Sequence, residues 1–361
     1  MNEQTHIMPV AGRSSGSGQA VLTADHLRKD FPLSQVLGGK RVVQAVEDAS
    51  LTLYAGQATA LVGESGSGKT TVARMLAGMH MPTRGEIVFR DRVVQLHRSS
   101  ERKHYLRQVQ YVFQDPFSSL NPAHSVRYHL SRPLLRHGHA RNGRQVEEQA
   151  LALLEKVSLT PARQFLDKYP HQLSGGQRQR VSIARSLAVR PLVLLADEPV
   201  SMLDVSIRLD ILNLLLRLKE EEGLAFLFIT HDIASARYFA EQTQVMYAGQ
   251  MVEGGPSEEV IRRPRHPYTR LLRSAAPDPD RMAQAAEGNG NATGAPERGE
   301  PPSLIKPPSG CRFHLRCPHA MEVCRQVFPA RTDFGGGHWT HCHLYSPTTQ
   351  SQQKTFPQEA K

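Results

Sequence analysis

The chain has 361 residues, 39% of them hydrophobic, with 44 Lys and Arg against 34 Asp and Glu and a formal net charge of +10. That length accommodates two or three domains and a sizeable core. Apolar runs such as Leu192–Ala196 and Leu224–Ile229 fall far short of the roughly 20 residues a membrane-spanning helix requires, and the polar stretch Arg13–Gly18 holds no apolar signal core. The expectation is a soluble intracellular protein. The positive excess admits nucleic acid, an anionic membrane surface or nucleotide phosphates as partners, or a plain solvated surface.

Residues 1–18 read as a disordered leader, and residues 19–276 as a globular α/β domain. Within it, β-rich runs (Leu51–Leu53, Thr59–Val62, Val109–Phe113, Val193–Ala196, Phe226–Ile229) alternate with helical patterns, clearest at Val72–Met79 and Leu209–Leu218. Alternation of this kind predicts βαβ units and a mostly parallel sheet. Between Pro116 and Pro170 the β character fades, and segments such as Val146–Val157 predict a helical insertion over about 115–185. Residues 277–309 are rich in Pro and Gly and read as a linker. A small Cys/His-rich module follows at 310–345, and a polar tail at 346–361.

In chain order, the first chemical motif is Gly63-Glu64-Ser65-Gly66-Ser67-Gly68-Lys69-Thr70, which matches G-x-x-x-x-G-K-[ST] between an apolar strand and a helix beginning near Thr71. The glycines let the backbone form a nest of N–H groups for phosphate oxygens. Lys69 reaches the outer phosphates, and the Thr70 hydroxyl is a Mg²⁺ ligand. Leu173-Ser174-Gly175-Gly176-Gln177 opens a second helix over Gln179–Leu187, and its N–H groups form a second anion site. One nucleotide needs one phosphate-binding helix start, so the second site predicts service to a nucleotide on a partner subunit. Leu192–Ala196 then ends in Asp197 and Glu198. Neighbouring strand side chains point in opposite directions, which suits Asp197 to the Mg²⁺ shell and Glu198 to work as general base on water.

A phosphate loop, then LSGGQ, then an apolar strand ending in Asp-Glu resembles the ATP-binding-cassette ATPases, a P-loop NTPase fold. The resemblance implies further roles: Gln114 as the glutamine that senses Mg²⁺ and the attacking water, and Ser201–Asp204 as a loop crossing a dimer interface, with Asp204 in place and Met202 where the family more usually has Ala. It also implies His231 as the γ-phosphate switch and Phe31 as the aromatic that stacks on adenine. Gln114–Pro122, Tyr169–Gly176, His266–Arg270 and the tail beginning at Gly310 are similar to the oligopeptide/dipeptide importer ATPases. Membership of that group implies a peripheral protein on the cytoplasmic face of the cell membrane. It implies ATP and Mg²⁺, a sandwich dimer with a second cassette (a paralogue or a second copy), two membrane permease subunits and, indirectly, an extracytoplasmic solute-binding protein, with no nucleic acid. Cargo stays open among peptides, nickel and oligosaccharides. The alternatives from other classes are a soluble cassette acting in translation or DNA repair, and a hydrolysis-poor regulatory cassette.

Cys311, Cys317, Cys324 and Cys342 are separated by 5, 6 and 17 residues. Four thiolates suit tetrahedral zinc or a [4Fe–4S] cluster. The absence of tight C-x₂-C knuckles leans toward the cluster, as does the resembled family, while His314, His319, His338, His341 and His343 keep zinc open; unliganded cysteines are the third alternative. Arg127, Arg132, Arg136, Arg141 and Arg144 occur with no acid between them, which predicts a basic face on the insertion turned toward the membrane.

Overall fold

A computed structural model of the chain describes residues 18–33, 41–115, 119–275 and 299–346. The leader up to residue 17, residues 276–298 and the tail from residue 347 lie outside the described residues, while 299–309 of the expected linker are described. At the centre, five strands run parallel in the order β6 (Val109–Val112), β7 (Val193–Asp197), β8 (Ala225–Thr230), β3 (Ala58–Val62) and β9 (Gln242–Tyr247). β3, β7 and β8 are buried throughout, as strands covered on both faces must be. Their side chains divide with period two. Ala60, Val62, Leu194, Ala196, Phe226 and Phe228 pack into one core, and Leu61, Val193, Leu195, Leu227 and Ile229 into the other.

The parallel sheet is where expected, but a second, antiparallel layer is larger than the short run Leu51–Leu53 suggested. β1 (Ala20–Leu33) and β2 (Arg41–Tyr54) pair antiparallel over their length, with β4 (Arg84–Phe89) and β5 (Arg92–Val93) continuing outward. Register shifts at Ala24/Leu27 and Lys29/Asp30 break the period-two pattern in β1, so its alternation is unreadable from composition. This layer and α1 (Lys69–Leu76) share the second core through Leu27, Val46, Val72 and Leu76.

The insertion is built from α3 (Val126–Arg136), α4 (Gly143–Lys156) and α5 (Arg163–Leu166), which follow α2 (Ser99–Gln108) and lead into α6 (Gly175–Leu187). Val126, Leu130, Leu134, Val146, Ala150 and Leu154 join it to the first core. Arg127 is spent internally, on Asp167 at 2.8 Å and Glu147 at 3.2 Å, so it is not part of a free basic face. α7 (Val205–Glu222) and α8 (Ile233–Phe239) cover the same side, and β10 (Gln250–Pro256), α9 (Ser257–Arg262) and α10 (Pro267–Ala275) finish the domain. No helix among the described residues is long and apolar enough to cross a membrane.

The cysteine segment is joined to this body. After α11 (Glu322–Gln326), strands β11 (Arg331–Asp333) and β12 (Trp339–His341) form a hairpin, and β12 pairs antiparallel with β10. His338 Nε2 meets the fully buried Glu253 carboxylate at 2.7 Å, and that carboxylate also accepts from the backbone N–H of Arg265 and of His266. A buried acid satisfied in this way holds the module to the sheet.

Candidate nucleotide site

The loop between β3 and α1 is shaped by three glycines at positive φ: Gly63 at 156°, Gly66 at 77° and Gly68 at 104°. A Cβ on Gly63 would lie 2.1 Å from the Met246 carbonyl oxygen, and one on Gly68 2.5 Å from that of Ala45. Both positions therefore exclude side chains on conformational and steric grounds. Lys69, the first residue of α1, turns its Nζ back onto the carbonyl oxygens of Gly63 at 2.6 Å and Glu64 at 2.8 Å. Burial pushes its pKa down, against the opposing pull of Glu198, Asp197 and Glu64.

A cavity of about 670 Å³ opens over this loop. Its walls include Glu64, Ser65, Gly66, Gly68, Lys69, Thr70 and Thr71 from the loop, Gln114 after β6, Glu198 after β7 and His231 after β8. Ser67 is buried behind it. Parallel strand ends thus deliver the chemistry to one edge of the sheet, as open α/β folds do. Gln114 Nε2 donates to Glu198 Oε2 at 2.9 Å, and His231 Nδ1 lies 3.4 Å from Glu198 Oε1. Glu198 is itself at φ 45°, a left-handed conformation that a non-glycine residue adopts at a cost of about 1–3 kcal/mol. Thr70 Oγ1 donates to Asp197 Oδ1 at 3.1 Å, which brings together two oxygen donors of the hard kind that Mg²⁺ takes. Asp197 has its pKa raised by burial, partly offset by hydrogen bonds from Tyr111 and Thr70. Tyr111, whose hydroxyl is 2.6 Å from Asp197 Oδ2, carries no motif of its own in the sequence, although it sits three positions before Gln114.

Other expected residues are elsewhere. Phe31 does not line the cavity; its ring lies edge-on to His80 at 5.3 Å, with Lys29 Nζ 5.0 Å from its centroid. The apolar cavity wall is instead Ala45, Leu272 of α10 and Leu304. Ser174, Gly175, Gly176 and Gln177 begin α6 outside this cavity, held by a reciprocal cap in which Ser174 Oγ accepts from the Gln177 N–H and Gln177 Oε1 from the Ser174 N–H. Asp204, just before α7, is exposed and also outside it.

The four cysteines line one small hollow together with His266, His314, His319 and His343. None is in a disulfide. Burial and the neighbouring thiols push Cys311 and Cys342 up to about 12. Among the described residues no group of three or more His, Cys, Asp or Glu side chains is drawn together to hold a metal ion.

This arrangement of phosphate loop, paired acids and strand-end Gln and His defines a P-loop nucleotide-binding cassette. The ABC transporter family model matches residues 46–201, and the model of the oligopeptide/dipeptide transporter C-terminal region matches residues 252–324. The chain is 40% identical over 321 residues to the dipeptide transport ATP-binding protein DppF of Escherichia coli, covering 88% of this chain and 92% of that one. It is 38% identical over 336 residues to the oligopeptide transport ATP-binding protein AppF of Bacillus subtilis, covering 92% and 100%. Among solved structures, the dimeric post-hydrolysis state of an ATP-binding cassette bound to ADP and Pi superposes with a TM-score of 0.58 at 28% identity, over 65% of this chain and 98% of that one. The fold is also that of cbiO1 from Clostridium perfringens, with a TM-score of 0.59 at 24% identity, over 74% and 99%. The chain belongs to the ATP-binding-cassette ATPases of the oligopeptide/dipeptide transport family.

Proposed function

We propose that the chain binds and hydrolyses ATP as the energising subunit of a membrane importer for dipeptides or oligopeptides, peripheral to the cytoplasmic face of the membrane. The observation that carries this reading is the Glu198 carboxylate, fixed between Gln114 and His231 at the mouth of the phosphate-loop cavity. The loop N–H groups and Lys69 bind the phosphate chain. Glu198 accepts the proton of the attacking water, and Gln114 and His231 keep its carboxylate aimed. Thr70, Asp197 and Gln114 are the residues to hold Mg²⁺, which supplies neutralisation of phosphate charge when bound. The LSGGQ helix start of the same chain lies outside its own cavity, which supports a sandwich with a second cassette whose nucleotide it completes.

Docking to the membrane subunits is supported by a groove between α2, α3 and α6. Arg102, Lys103, Arg132, Arg136 and Arg185 line it with no acid among its walls, a surface matched to an acidic segment of a permease loop. Reconstituted in vesicles with a second cassette and its permeases, the chain is expected to drive ATP-dependent uptake of a labelled peptide. Combining Arg132→Gln with Arg136→Gln should weaken association with the permeases several-fold at unchanged ATP affinity. A complex that forms but never turns over ATP would sink the reading.

We read the cysteine hollow as a [4Fe–4S] site rather than a zinc site, on the wide 5-, 6- and 17-residue spacing of its cysteines. All four thiols line one common hollow, one for each iron of such a cluster. When bound it supplies a compact, redox-active cross-link, and Cys311, Cys317, Cys324 and Cys342 are the residues to hold it. Anaerobically purified protein should show broad visible absorption with about four irons per chain, as four cysteine ligands imply; stoichiometric zinc and no colour would replace the assignment.

A further inference from the structure

The phosphate loop is not held by the cassette alone. Glu64, its second residue, has each of its polar groups engaged. Its carbonyl accepts from Lys69 Nζ, within the loop. Its backbone N–H donates to the Tyr268 hydroxyl at 2.7 Å, and its carboxylate accepts from Arg316 Nη1 at 2.8 and 3.1 Å. Tyr268 belongs to α10, and Arg316 immediately precedes Cys317.

Arg316 is well fixed for this task. Nη1 also donates to the Tyr247 hydroxyl at 3.3 Å, and the guanidinium lies 5.7 and 5.8 Å from the Tyr247 and Phe313 ring centroids. Phe313, Tyr247 and Tyr268 pack on one another at 4.5 to 5.4 Å beneath the ion pair. Four residues earlier, buried Arg312 pins the same turn to Glu47 and Gln44, each at 3.0 Å, and to the Ala248 carbonyl. The Arg316 and Glu64 side chains are 12% and 27% exposed, so solvent screens the pair less than an open surface bridge.

We propose that Arg316 is a positioning residue for the phosphate loop, through which the cysteine module sets the affinity of the nucleotide site. A glycine-rich loop samples many backbone conformations. Restraint of Glu64 at both its N–H and its carboxylate raises the fraction of the phosphate-ready form, and apparent affinity scales with that fraction. The brace therefore acts on binding, whereas the proton transfer at Glu198 is left to other residues.

The inference rests on the reading that this loop binds ATP, and the test separates the two. In the assembled full-length complex, Arg316→Gln is expected to raise Kd and KM for Mg-ATP about tenfold, the scale of one charge-assisted hydrogen bond, with kcat at saturating ATP within twofold. Arg316→Lys should recover much of the loss. Glu64→Ala should reproduce it, and the double variant should bind no more weakly than either single one. If Arg316→Gln does not fold, Arg316→Met, which keeps an aliphatic chain against the Phe313 ring and removes the donor to Glu64, carries the test. Unchanged affinity in both variants, additive losses, or a fall confined to kcat overturns the proposal. Wild-type complex that binds no ATP overturns the functional reading, and this inference with it.

Discussion

Glu198→Gln is expected to lower kcat for ATP hydrolysis by about 10²–10⁴-fold, the scale of a positioned general base, while ATP affinity changes little. The substitution is nearly isosteric, and the new amide oxygen can still accept from Gln114 Nε2, which donates to Glu198 at 2.9 Å. Only the capacity to take a proton from water is removed. The strained backbone at φ 45° is set by the chain and not by the side chain, since the Glu198 N–H is bonded to the Ile229 carbonyl at 3.0 Å. Single-turnover measurement on the purified complex separates the outcomes: retained binding with lost chemistry agrees with the assignment, and turnover that survives would falsify it. ATP-bound protein should then accumulate as the closed cassette dimer, visible as a shift in sedimentation.

Lys69→Gln should act on the other side of that division and weaken nucleotide binding by orders of magnitude. Lys69, 4% exposed at the point where α1 begins, has its Nζ held by the Gly63 and Glu64 carbonyls. In the proposed role its ammonium donates charge-assisted bonds to phosphate worth about 1.5–3 kcal/mol each, so losing two is expected to weaken binding by roughly 10²–10⁴-fold. Arginine does not rescue, because its planar fork does not fit a pocket built around a point charge. The same change should leave the nucleotide-free protein at least as stable. Burial lowers the Lys69 pKa, which means that the folded state disfavours the charge it carries at neutral pH, and a neutral amide removes that cost. Equilibrium titration with ATP and denaturant unfolding read the two effects independently.

What was legible beforehand follows from how local each signal is. The phosphate loop, Asp197-Glu198 and LSGGQ announce themselves because their chemistry is written in consecutive residues with a strand or helix on one side. The antiparallel layer is not, since β1 and β2 find each other through a bulged register. Phe31 shows the limit from the other direction. Its upstream position matches an aromatic for adenine, yet its ring packs on His80, and the apolar wall comes from Ala45, Leu272 and Leu304. Leu304 is brought there by its carbonyl accepting from the Gln44 N–H at 2.8 Å, a contact across most of the chain. Arg316 was equally hidden, because Glu64 is 252 residues away in sequence.

The brace on Glu64 has a consequence for the module that supplies it. Coupling free energies are reciprocal, so a loop made more rigid by bound phosphate must hold Arg316 more firmly in return. The turn from Arg312 to Leu315 lies between Cys311 and Cys317, and whatever steadies it steadies the arrangement of thiols on either side. Nucleotide occupancy and the integrity of the cysteine hollow are then two readings of one equilibrium, each reporting on the other within a single subunit.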